Sequence, residues 1–192
     1  YYFPFERLTP TEEPGGLDLG KRLFVTFETL ATPGSATAPV SNWVAKTGPA
    51  RWALERVAGV DARRDLPEFQ RETLVDWFDG RVSTVSDPTR EVVLYPDVYT
   101  NHVQVERGKA AVRTLEALGV SVRVPDVRSS GRAPLSQGMI ATAEEHAHDV
   151  YGSLADHIDA ARDVDVIEPS DLAMFARDYA QFLPVDPVER LQ

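Results

Sequence analysis

The 192-residue chain contains no cysteine. That absence excludes disulfides, thiol catalysis and cysteine-ligated iron–sulfur or zinc sites within it. Lysine is scarce too: of twenty basic residues only Lys21, Lys46 and Lys109 are lysines, and the rest are arginine. Against thirty acidic residues this leaves a net charge of −10, a balance that repels nucleic acid and anionic lipid. Two accounts fit an acidic, lysine-poor surface. One is a halophilic protein in a high-salt cytosol, where a Debye length of about 3 Å at 1 M tolerates self-repulsion; the other is a GC-rich genome that favours arginine codons. No apolar run approaches about 18 residues, so no membrane span is expected. The start at Tyr1 shows no signal peptide, and without an initiator methionine the chain reads as a piece of a longer protein. The expected location is the cytoplasm, or its membrane face through partners. G-x-S-x-G, Walker A and G-x-G-x-x-G patterns are all missing, which leaves hydrolase, NTPase and dinucleotide readings without a motif.

What is present is ordinary globular composition, 43% hydrophobic and 26% charged. A chain this long buries roughly 70% of the surface its unfolded form exposes. Residues 1–40 read as an extended arm and linker: prolines and glycines punctuate 1–20, 21–30 is apolar enough for a helix, and 31–39 is rich in small residues and proline. Residues 41–85 read as a helical connector. Trp43, Val44, Trp52, Leu54 and Val57 fall in two short helices ending at Gly59, and Phe69, Leu74, Trp77 and Phe78 form an apolar stripe on a helix that opens after Leu66-Pro67-Glu68 and closes at Gly80.

From residue 86 onward strands alternate with helices. The continuous apolar run 92–95 suits a strand buried on both faces of a parallel sheet. A helix over 105–118, a strand over 120–124, a helix over 139–154, a strand over 164–167 and a helix over 172–182 follow, which predicts a small α/β layered domain with a mainly parallel sheet. In such sheets ligands bind beyond the carboxyl ends of the strands. Loops at Asp97, at Ser129-Ser130-Gly131-Arg132 and at Glu168-Pro169-Ser170-Asp171 each follow a strand, so all three should converge on one edge.

These loops carry a resemblance. Asp97-Val98-Tyr99-Thr100-Asn101, Ser129-Ser130-Gly131-Arg132 followed by Leu135-Ser136-Gln137-Gly138, and Glu168-Pro169-Ser170-Asp171 stand in the order of the D-x-Y-T-N, C-C-G-R and E-P-S-C loops of the cysteine-rich CCG domain. The chain resembles that domain as found in the glycerol-3-phosphate dehydrogenase C subunit, in the heterodisulfide reductase B subunit, and at the C-terminus of FAD-linked D-lactate or glycolate dehydrogenases. The resemblance implies that Ser129, Ser130 and Asp171 occupy former cluster-ligand positions. It also implies that FAD and iron–sulfur clusters belong to flavin and ferredoxin-like domains elsewhere in the parent, with this chain a cluster-free scaffold or docking unit. Neutral hydroxyls are poor replacements for soft, charged thiolates.

Two other readings attach to the same loops. Asp97, Ser129, Ser130, Gly131, Arg132, Glu168 and Ser170 could line a pocket for a small anion or carboxylate, or Asp97, His102, Glu168 and Asp171 could form a hard divalent-metal site. Each residue also has a purely structural reading: Ser170 or Asp171 as the cap of the last helix, Gly131 as a permissive backbone position, and Arg132 as an ion-pair partner of Glu168 or Asp97. His146 and His148 are two positions apart on a predicted helix and so face different ways, unlike the pair of a zinc helix.

Overall fold

The computed structural model describes Val25 and residues 27–184. Three strands, β1 (Arg90–Tyr95), β2 (Val120–Arg123) and β3 (Asp163–Val166), form one all-parallel sheet of order β2-β1-β3, which makes the domain α/β as predicted. The central position of β1 follows from its sequence. Val92 and Leu94 point into one layer with Leu74, Val112, Val122 and Val124, while Val93 and Tyr95 point into the other with Ala147, Val150, Leu154, Phe175 and Tyr179. Side chains alternate across a strand, so an unbroken apolar run is stable only where both faces are covered.

The helices are α1 (Phe27–Ala36), α2 (Val40–Lys46), α3 (Gly48–Ala58), α4 (Leu74–Asp79), α5 (Val98–His102), α6 (Val105–Ala117), α7 (Arg132–Ser136), α8 (Ile140–Asp159) and α9 (Pro169–Ala173). The chain continues from α9 through a π turn (Met174–Asp178) and a 3-10 turn (Tyr179–Gln181). In α8, Ala143, His146, Ala147, Val150, Leu154 and Ile158 are buried at three- and four-residue spacing, the stripe of a helix packed on a sheet. Among the described residues no helix is long and apolar enough to cross a membrane.

Three local expectations are corrected. Residues 31–36 are the second half of α1, with Pro33 inside the helix. The small residues that read as a linker serve packing: a Cβ on Gly34 would lie 2.5 Å from the Phe69 ring, and the buried Ser35 hydroxyl is 3.0 Å from His102 Nδ1. The helix expected to open near residue 68 begins only at Leu74, because Phe69 is held by tertiary bonds. Its N–H donates to Asn42 Oδ1, its carbonyl accepts from Asn42 Nδ2, and the next N–H, of Gln70, donates to the His102 carbonyl. The final helix starts earlier than predicted, at Pro169, and Glu168 rather than Ser170 or Asp171 is its cap. Glu168 is extended, at φ −87° and ψ 112°, and its carboxylate accepts from the Ser170 N–H. Proline at the first helical position needs no N–H partner, so the cap moves one residue ahead of it. The part of the arm over residues 1–24, including the first four residues of the helix expected over 21–30, lies outside the described residues.

Candidate functional site

A cavity of about 370 Å³ opens at the carboxyl edge of the sheet, where the three loops meet as predicted. Asp97, Ser129, Ser130, Arg132, Glu168 and Asp171 all line it. The residue types explain how each loop is held. Asp97 caps α5, its Oδ1 accepting from the Tyr99 and Thr100 N–H groups at 3.0 Å and its Oδ2 from the Thr100 hydroxyl at 2.5 Å. Glu168 Oε1 accepts from the Ser170 hydroxyl at 2.5 Å, and that bond is the main reason its carboxyl is held below the ordinary range; Arg132 and Arg107 add to the effect. Gly131 sits at φ 85°, and a Cβ there would lie 2.9 Å from the Ala143 carbonyl and 3.0 Å from His146 Cβ, so the loop turns directly against α8.

Ser130 and Asp171 touch. The Ser130 hydroxyl donates to Asp171 Oδ1 at 2.5 Å, 41 positions away in the chain. Tyr179 donates its hydroxyl to the Ser130 carbonyl, and Tyr95 donates to the Arg128 carbonyl, both at 3.0 Å, which pins this loop to the core from below. Burial pushes the Asp171 carboxyl above its ordinary range, opposed by the Ser130 hydrogen bond and by Arg132. Burial likewise raises the phenols of Tyr95 and Tyr179, keeping both as neutral donors.

Ser129 faces a residue that sequence reading missed. Glu28 of α1 accepts from the Ser129 N–H through Oε1 and from the Ser129 hydroxyl through Oε2, both at 2.6 Å. A partner 101 positions away leaves no local signal; only the acid in the first turn of α1 marks it. His146 Nδ1 lies 3.0 Å from the Ser129 carbonyl and 3.1 Å from its hydroxyl oxygen. A carbonyl only accepts, so Nδ1 carries the proton, and this imidazole cannot take the Ser129 proton through that nitrogen. Burial, reinforced by Arg128, also holds His146 below the usual histidine range. His148 is exposed, on a different face from buried His146, as the spacing required.

The predicted ion-pair partner of Arg132 is corrected. Its Nε lies 3.7 Å from Asp171 Oδ1, rather than pairing with Glu168 or Asp97. His102 does not join the carboxylates. It is buried against α1, with Nδ1 on Ser35 and Nε2 3.4 Å from the Asn101 amide nitrogen, and it does not line the cavity. Among the described residues no group of three histidine, aspartate or glutamate side chains is arranged to hold a metal ion.

Part of the remaining wall is aromatic and apolar. Phe27 of α1 stacks on Tyr99 of α5 at 5.5 Å between ring centroids and 24° between planes, and Val25, Val98 and Ala133 add to it, with Thr100 and Gln104 as polar neighbours. Arg107 of α6 lines the same cavity.

A small parallel α/β domain with a cleft at the strand ends is the class these elements define. Comparison with known proteins adds one relation. The chain is 25% identical over 170 residues to the C subunit of the anaerobic glycerol-3-phosphate dehydrogenase of Escherichia coli K12, a match covering 86% of this chain and 43% of that relative; its counterpart in the O157:H7 strain matches equally. The chain therefore spans less than half the length of the curated relatives it matches. No family model matches, and no solved structure matches.

Proposed function

We propose that this chain is a cluster-free counterpart of the CCG domain, working within an oxidoreductase as a scaffold and docking unit for electron transfer rather than as a redox centre. The finer reading is the C-terminal region of an FAD-linked 2-hydroxyacid dehydrogenase of D-lactate or glycolate type, with the flavin and the iron–sulfur clusters on other domains of the parent. In this reading residues 41–85 are the connector and residues 86–192 the CCG-like unit. The observation that carries it is the contact between Ser130 and Asp171, with Ser129 adjacent, at the meeting point of three loops. The similarity to the glycerol-3-phosphate dehydrogenase C subunit, running along 86% of the chain, supports the same reading.

Ser129 and Ser130 already have hydrogen-bond partners in Glu28 and Asp171, and a hydroxyl is not a soft anionic ligand. The test is cysteine restoration. Wild-type protein purified anaerobically should carry no stoichiometric iron or acid-labile sulfide, whereas the S129C/S130C/D171C variant should take up both on anaerobic reconstitution and develop visible absorption. Stoichiometric iron and sulfide on the wild type would overturn the cluster-free assignment. A folded triple variant that takes up no iron would reject the loops as a former cluster site.

A further inference from the structure

The donors and acceptors around the cavity are not evenly satisfied. Its carboxylates are largely occupied by the protein itself: both oxygens of Glu28 by Ser129, both of Asp97 by the start of α5, Oε1 of Glu168 by Ser170, and Oδ1 of Asp171 by Ser130. Its guanidinium groups are held more loosely. Arg132 Nε is buried without a hydrogen-bond partner, and Asp171, at 3.7 Å, lies beyond hydrogen-bond length. Arg107 makes one long 3.3 Å bond to Gln104 and, among the described residues, no ion pair. The Nε itself is shut off from solvent, so an incoming acceptor meets this guanidinium at its terminal nitrogens, on a side chain that is 42% exposed. The cavity therefore has donors to give and few free acceptors to offer.

We infer that this cavity binds a small organic carboxylate, its anionic end on Arg132 and Arg107 and its apolar body against the stacked Phe27 and Tyr99 rings. A guanidinium fork matches the two oxygens of a carboxylate. About 370 Å³ falls in the range of small-molecule sites, and the aromatic wall favours a flat apolar body over a bare inorganic anion. The inference stands on the cavity alone: it can fail with the cluster-free reading intact, and the cysteine-restoration experiment can fail without touching it.

The test is calorimetric titration of the whole chain with benzoate, phenylacetate, benzyl alcohol and inorganic phosphate. Benzoate or phenylacetate should bind with a Kd of about millimolar or tighter, and benzyl alcohol and phosphate at least about tenfold more weakly. R132Q and R107Q should each weaken carboxylate binding by roughly tenfold, and R56Q, on exposed α3, should leave it unchanged. R107Q is on an exposed side chain and tests the site even if R132Q does not fold. Equal binding of benzyl alcohol, preference for phosphate, no binding of either carboxylate, or unchanged affinity in R107Q would each overturn the proposal.

Discussion

At the scale of single residues the site depends on a charge kept in an unfavourable place and on a backbone angle. Burial raises the Asp171 carboxyl above its ordinary value, so the folded protein holds that proton more tightly than the unfolded chain does. The stabilisation from that proton is present in full below the unfolded value near 3.8 and is lost as pH rises through the folded one. D171N keeps an acceptor for Ser130 and removes the charge. The difference in stability between D171N and wild type should therefore shift in favour of D171N as pH rises from about 4 toward neutrality, read as denaturation midpoints across pH; a pH-independent difference would count against the assignment. Gly131 at φ 85° has the Ala143 carbonyl in the way of any Cβ, so G131A should lose about 1–2 kcal/mol or more, checked by urea unfolding. Gly131 was legible from its place in the loop. Glu28 was not, because its bond to Ser129 exists only once α1 has docked.

At the scale of elements, hydrophobic periodicity located β1 and α8, whose apolar patterns are long and regular, and failed where single tertiary bonds decide the backbone. The stretch around Phe69 has helical spacing, yet Asn42 and the His102 carbonyl take its polar groups, and the helix waits for Thr73. Thr73 and Asp76 form a reciprocal capping box that starts α4 at a defined residue. T73A should cost about 1 kcal/mol in thermal or chemical unfolding, with α4 the element that loses protection in hydrogen exchange. The same logic explains α9, where Pro169 moved the cap to Glu168.

At the scale of the whole molecule, the three tryptophans part company. Trp77 is half-buried, with Arg81 at 4.9 Å and Lys109 and Arg113 at 5.5 Å from its ring, so its surface is taken up by the protein's own cations. Trp43 is 70% exposed beside Val40 and Val44 on α2, with Trp52 at 65% on α3. If the chain docks to a flavin portion of its parent through this face, W43S should weaken that association by about tenfold or more with little change in stability, while W77S should mainly destabilise the fold. Equal association of W43S and wild type by calorimetry would remove α2 from the interface. The sequence by itself determined the parallel α/β architecture, the order of the three loops and their arrival at one edge, because alternation, helical period and strand-end geometry are local or topological consequences of residue order. Only the tertiary structure decided that Ser130 meets Asp171, that Glu28 holds Ser129, that His102 turns toward Ser35 and that Arg132 keeps a spare donor. Each of those depends on side chains far apart in the chain arriving within about 3–4 Å of one another, a distance that spacing along one strand or helix cannot specify.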